Sequence, residues 1–417
     1  MIRPLCRPPR PEPMAAKNFR MNRIGELFEL KTFPEKKGGK KPCPRSGHRC
    51  VADKKGLYVF GGYNPNLDTL KRHYDDCDFE ALDIIIPLFN ELWEFNFASC
   101  CWRKMKTSGP MPTEVASMAM LLVGSTIVVY GGTGFPFGFT SSNKIYTLNL
   151  RSLKWKKHVT EEEYSPIRTY GSAICVNKEN LYVYGGTTGW SYTSNVDCYN
   201  MDSLSWSSVY DSSIDWPPGY IQPHDYVQSP KPRYRHEMVS DREHLYILGG
   251  GRATVAFELE TIYILNLQSK SWERRQSIKD KKHGYPGRRR CFGCCQLSDN
   301  VYISGGLNEL MMFDDIWRLS LTDLQWTKFN AKLLFPTYFH AAAVTPSGCM
   351  FIHGGVKTLT GDKRSLKLSK IWLVVPNLLE LCWEKILYYI PSICRIPESQ
   401  LMQLGLPQHI ISRLKFI

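Results

Sequence analysis

The 417-residue sequence predicts an all-β fold, a six-bladed β-propeller, with a short α-helical tail. Three observations predict it. Six apolar runs each end in a glycine pair: Leu57 to Gly62, Ile127 to Gly132, Leu181 to Gly186, Leu245 to Gly250, Val301 to Gly306 and Met350 to Gly355. Large rings then recur nine residues apart, as Trp93 and Trp102, Tyr146 and Trp155, Tyr263 and Trp272, and Trp317 and Trp326. The sixth repeat stops one strand short, with Leu381 where its second Trp should stand, while the start of the chain offers a matching strand. Self-similarity of this period means a repeated supersecondary unit.

Each repeat reads as four strands. The run before the glycines is β-branched and aromatic and reads as a buried strand. The glycines permit a turn and a close backbone approach that a Cβ would block. The ring at fixed offset suits a wedge between blades. The third repeat keeps Trp206, but Asp197 stands where its earlier ring should be. Leu27 to Phe33, followed by Pro34, resembles Trp102 to Ser108 before Pro110, so the N-terminal segment is expected to complete blade six and close the ring. Closure removes sheet edges that would otherwise template aggregation.

These glycine pairs and ring offsets resemble the kelch repeat over roughly residues 24–375, and the resemblance implies a propeller. The glycines and tryptophans are therefore assigned to folding. Function must lie in what departs from the repeat, since one fold hosts many activities. The expected organisation is a basic, Pro- and Arg-rich leader over 1–23, a propeller over 24–375 and a helical segment over 376–417.

Composition excludes several classes. No apolar stretch of 18 residues predicts a membrane span, and no long apolar run opens the chain as a signal peptide would. Fourteen irregularly spaced cysteines fit reduced thiols of an intracellular protein, and the expected location is cytoplasmic and nuclear. Cys291, Cys294 and Cys295 contain a CxxC on the inner strand of blade five, without a second pair to make a zinc site. The net charge is +14, and residues 1–55 hold 15 Lys and Arg against 5 Asp and Glu, a net of +10. No zinc-finger or RNA-binding signature accompanies that charge, so nucleic acid is not the expected partner. No ordered Tyr/His/Cys set of the kind that copper-oxidase propellers need is present. No catalytic residue, metal or cofactor is expected.

Two departures remain. After the last blade, Asn377 is placed to cap a helix, along which Leu378, Cys382 and Ile386 recur every four residues. Pro397 and Pro407 open two further short helices, with Gly405 between them, and Ile410 and Leu414 share a face of the last. Leu378, Cys382 and Ile386 resemble the BC-box by which substrate receptors enter the groove of Elongin C, although Asn377 replaces the usual preceding residue. Leu406, Pro407, Ile410 and Leu414 resemble the cullin box that selects Cullin-2. A helix laid in an apolar groove is a known recognition mode. The alternative for this tail is a helix folded back to bury its stripe on the ring.

The second departure is a series of arginines upstream of the glycine pairs: Arg45 with His48, Arg168 with Gly171, Arg233 with His236, and Arg290 with Gly293. Arg45 and Arg168 are read as loop braces. The denser loops hold Arg233, Arg235 and His236, then Arg288, Arg289 and Arg290, and form a positive funnel suited to an anion. Taken together, the chain resembles the kelch-domain substrate receptors that recognise C-terminal degrons. That resemblance implies a substrate-recognition subunit of a Cullin-2 ubiquitin ligase, held with Elongin B/C, Cullin-2 and a RING subunit. It implies a mouth that binds substrate C-termini ending in Gly or Ala. Arg233, then Arg290, then Arg235 are the expected carboxylate ligands, with Tyr234, His236, Phe292 and Tyr338 as pocket walls. A kelch scaffold that binds and regulates a partner signalling enzyme is the alternative.

Overall fold

Six sheets, each with four antiparallel strands, radiate around one channel in the computed structural model, which describes residues 25–36, 39–66, 87–159, 164–217 and 227–415. The 1–23 leader and most of the 63–90 insertion lie outside the described residues. The innermost strands are Arg49–Ala52, Ala119–Val123, Ala173–Asn177, Glu237–Ser240, Gly293–Leu297 and Ala341–Val344, for blades one to six in order. The glycine-pair runs form the second strands and are almost wholly buried, as Gly56–Phe60 and Cys349–His353 show. No helix among the described residues is long and apolar enough to cross a membrane.

The expected aromatic wedges are in place. Trp93, Trp102, Trp155, Trp317 and Trp326 are buried and belong to the apolar clusters between neighbouring blades. Asp197, which replaces a ring in blade three, is buried and accepts a hydrogen bond from the Tyr164 hydroxyl. Burial pushes its carboxyl up to about 6. Tyr164 comes from the preceding loop, so the chain supplies a phenol there by another route.

The ring closes at blade six. Strand Leu27–Glu29 pairs antiparallel with Leu368–Trp372, Leu27 opposite Ile371. A few residues on, Phe33–Pro34 pairs in parallel with Cys101–Trp102 and adds a fifth strand to blade one. The N-terminal segment therefore clamps the first and last blades together.

A small helical unit sits behind this closure. Helix α1 spans Leu378–Tyr389, α2 Glu398–Gln403 and α3 Gln408–Ile411, with 3-10 turns at Ile393–Arg395 and Ser412–Leu414. The Asn377 side chain accepts the Glu380 N–H at 3.0 Å and caps α1. Trp383, Ile393, Leu401, Ile410, Ile411 and Leu414 form the unit's own core, against which Ala98 of blade one packs. Lys370 and Trp372 of blade six both bond Glu384, at 2.7 and 3.2 Å, and Asn96 donates to the Arg413 carbonyl at 3.4 Å.

Candidate functional site: the arginine-lined mouth and the exposed tail helix

The site grows from one repeated backbone device. Gly47, Ser117, Gly171, Arg235, Cys291 and Phe339 each sit just before an inner strand with a left-handed backbone, φ between 52° and 68°. Each donates its N–H to the carbonyl of the equivalent residue in a neighbouring blade, at 2.8 to 3.0 Å, and the six bonds close a circle around the channel. Glycine adopts this conformation freely, whereas Ser117, Arg235, Cys291 and Phe339 hold it at a cost of about 1–3 kcal/mol each.

Side chains two places before the circle point into the blades. Arg45, Arg233 and Arg289 are equivalent there. Each donates Nε to the carbonyl two residues back, and Nη1 to the carbonyl of the first glycine of its own pair, at 2.8 to 3.1 Å. Each is stacked on a phenylalanine: Phe89, Phe257 or Phe313. Arg45 also pairs with Glu91 at 2.5 Å and Arg289 with Asp315 at 2.6 Å. Arg233, the first expected carboxylate ligand, is thus a buried brace turned away from the mouth. Arg168 is exposed and braces nothing of this kind, because Thr169 occupies the equivalent position.

Residues one place after the circle are also buried. His48, His236 and His340, with Phe292, press on the glycine pairs of neighbouring blades; a Cβ on Gly185 would lie 2.8 Å from His236 Cε1, and one on Gly249 2.9 Å from Phe292 Cε1. Together with neighbouring backbone carbonyls, such as Arg289 O at 2.8 Å from a Cβ on Gly249, these rings leave no room for a side chain at Gly185, Gly249, Gly305 and Gly354. His236 hydrogen-bonds the Tyr184 carbonyl through Nε2 at 3.0 Å. His236 and Phe292 are therefore inter-blade packing residues, not pocket walls.

What faces the channel and mouth is a different set. Arg235 reaches across the channel, where its Nη2 donates to Ser117 Oγ and its guanidinium lies 4.5 Å from the Phe339 ring. Its Nε is buried without a hydrogen-bond partner. Burial, with the nearby charge of Arg49, lowers this guanidinium to about 10. Arg290 donates Nη2 to the Ala253 carbonyl at 2.9 Å, and its Nη1 is buried and unpartnered. Arg364 donates Nε to Ser46 Oγ at 3.0 Å and lies 5.2 Å from the Tyr63 ring. Among the described residues, none of these three forms an ion pair with a carboxylate, in contrast to Arg45 and Arg289.

Tyr234 and Tyr338 stand among them. Burial raises both phenols, while Arg290 and Arg235 act against that rise at Tyr234, and Arg364 and Arg290 at Tyr338. Between them, burial pushes the Cys291 thiol up to about 11 despite Arg235 and Arg290. The channel below is crossed by a second bridge, Arg49 to Glu237 at 2.8 Å, between blades one and four. Arg235 spans the channel, and Arg290 and Arg364 both lie near Tyr338. Arg364 had no place in the sequence reading, because it lies in the loop after the sixth glycine pair rather than in the arginine series.

In the tail, Leu378 is 76% exposed and Cys382 is exposed, so the stripe is not folded back onto the ring. The buried face of α1 is Glu380 and Trp383 instead, with Arg413 bridging both: it bonds Glu380 at 2.7 Å and lies 5.0 Å from the Trp383 ring. Ile386 is half-buried at the edge of the tail core. Pro407 is exposed and Leu406 half-buried, but Ile410 and Leu414 are core residues and offer no free surface to a partner. Among the described residues no cluster of His, Cys, Asp or Glu is arranged to hold a metal.

Ring and glycine pairs define a kelch-repeat propeller. The family model described as the KLHDC2/KLHL20/DRC7 Kelch-repeats domain matches residues 28–222 and 221–393, and the chain belongs to that kelch-repeat family. It is similar to Kelch domain-containing protein 10 of Xenopus laevis, 43% identical over 91% of this chain and 88% of the relative. The human protein of the same name is 41% identical over 91% of this chain and 81% of its own length. Human Kelch domain-containing protein 1 is more distant, at 23% over 75% of this chain.

Proposed function

We propose that this chain is a non-catalytic substrate receptor that binds the free C-terminal carboxylate of a protein and presents it to a Cullin-2 ubiquitin ligase. The observation that carries the reading is the mouth itself: Arg235, Arg290 and Arg364 converge there without carboxylate partners among the described residues, and two of them hold buried, unpartnered nitrogens. A guanidinium fork fits a carboxylate, and a chain end is the one place where a backbone carries one. Two charge-assisted bonds supply about 1.5–3 kcal/mol each. Tyr234 and Tyr338 lie close to these arginines, and on this reading their rings leave room for a small last residue such as Gly or Ala.

The exposed Leu378 and Cys382 support the second half of the reading, a helix offered to Elongin C. Ile386 is its half-buried third anchor. The cullin-box residues Ile410 and Leu414 then act by building the tail, and Leu406 and Pro407 are what a cullin meets. Elongin B and the RING subunit join through these contacts rather than through the propeller.

Peptide titration tests the mouth. Arg235→Met should weaken a peptide ending in a free Gly by at least about tenfold, consistent with the loss of one charged bond. Unchanged affinity in Arg235→Met and in Arg290→Met would remove the carboxylate site.

A further inference from the structure

Beside the arginines, the mouth carries an aromatic platform that neither the propeller core nor the carboxylate site uses. Phe135, Phe137 and Phe139 lie in the loop after the second glycine pair, and Trp190 in the loop after the third. All four are exposed, Phe139 at 72% and Trp190 at 81%. Large rings left in water cost free energy, and a contiguous exposed patch marks an interaction surface.

The platform is built rather than loose. Thr133 and Thr187, each directly after a glycine pair, accept the N–H of Gly138 and Gly189 at 3.0 Å through their hydroxyls. The two loops then touch backbone to backbone: a Cβ on Gly189 would lie 2.7 Å from the Gly138 Cα, and one on Gly138 3.0 Å from the Gly189 Cα. This contact sets Phe139 and Trp190 side by side, edge to face, with centroids 6.3 Å apart.

It is also continuous with the arginines. Arg364 lies 5.2 Å from the Tyr63 ring, and Tyr63 in turn contacts Phe137 at 4.8 Å and Phe135 at 5.9 Å. Through Tyr63, Arg364 and Phe137 are separated by at most about the span of three extended residues. Cations and exposed rings divide one mouth, blades four to six giving Arg235, Arg290 and Arg364, and blades one to three giving the rings.

Resting on the carboxylate reading, we propose that the platform binds the same chain upstream of its end, and that it selects an aromatic or large apolar side chain from about the third residue before the terminus onward. The occupant is an extended C-terminal peptide, cationic groups taking its end and rings taking its side chains. Rigid aromatic surfaces of this kind act as anchors at low entropic cost.

The test uses fluorescent peptides of Gly, Ser and Lys ending in Ala-Gly, with and without Trp four places before the end, each as free acid and as amide. The full-length chain is compared with Phe139→Ser/Trp190→Ser, whose two sites are exposed and whose melting temperature checks the fold. The wild type should bind the Trp peptide about tenfold more tightly than the plain one. The double variant should lose that difference and keep the wild-type affinity for the plain peptide. No preference in the wild type, or a preference retained in the variant, overturns the platform. Amidation that abolishes binding while Trp has no effect leaves the carboxylate reading standing and the platform refuted. Amidation without effect, beside a Trp preference that the variant loses, refutes the carboxylate reading alone. A wild-type dimer that the variant makes monomeric assigns the rings to a second copy and overturns the proposal, and absence of binding by every peptide overturns both.

Discussion

At the residue scale, one amino acid does two jobs a short distance apart. Arg45, Arg233 and Arg289 each lie sixteen residues before the carbonyl they brace. Arg235 sits fourteen residues before its first glycine and Arg290 fifteen, and these two open toward the mouth. An Arg-x-x-His or Arg-x-x-Gly pattern merges the two registers, and the run Arg288, Arg289, Arg290 satisfies either. Counting back from the glycine pair separates them, since Gly47, Ser117, Gly171, Arg235 and Cys291 all fall fourteen before it. Only the sixth repeat departs, by one residue, at Phe339. The arginine funnel was therefore legible in composition but not in assignment. The two registers also separate by experiment. Arg289→Ala strips the half-buried Asp315 of its ion-pair partner, leaving it the Trp317 Nε1 donor, and should cost about 3 kcal/mol of stability. Arg290→Ala, at a half-exposed position, should stay within about 1 kcal/mol of the wild type. Equal losses in urea unfolding would contradict the division.

At the scale of elements, the blades were legible because the strand, the glycine pair and the ring repeat the same demand six times. The tail helices were legible from Asn377, Pro397 and Pro407, whose conformational preferences act locally. Which face of α1 would be buried was not. A four-residue stripe of Leu378, Cys382 and Ile386 looks like a core face, yet Trp383 one place on carries more apolar area and wins the contact. The same holds for Ile410 and Leu414, read as partner contacts and found in the tail core. This gives a clean pair of variants. Leu378→Ala with Cys382→Phe should leave the melting temperature unchanged and abolish capture of Elongin B/C in a pull-down. Retained capture would refute the adaptor half of the proposal. Trp383→Ala should instead unfold the tail, since truncating a buried Trp costs about 3–5 kcal/mol.

For the whole molecule, the circle of six backbone bonds and the two side-chain bridges tie the inner strands together around the channel. Its blades are joined by buried neutral histidines. Burial lowers His236 and His353 to about 3 and His340 to about 4, and also lowers His48, whose Nε2 lies 3.0 Å from His353 Nδ1. An unfolded histidine takes up a proton near pH 6.5, so below that pH the unfolded chain binds more protons and stability falls as pH falls. At pH 5 this amounts to about 2 kcal/mol for each of the three with values near 3 to 4. Asp197 works in the opposite sense, since its raised carboxyl stabilises the fold as pH drops below about 6, by about 1 kcal/mol at pH 5. The balance is a loss of several kcal/mol, a large share of an ordinary domain's stability. Melting temperature should accordingly decline steeply between pH 6.5 and 5. A flat profile over that range would mean that the histidines are not held neutral.

The central claim is that the mouth reads a chain end. Calorimetric titration of the full-length chain with one peptide, as free acid and as C-terminal amide, measures this most directly. The acid should bind at least about a hundredfold more tightly, equivalent to the loss of two charge-assisted bonds of modest strength. Equal affinities for acid and amide would contradict it.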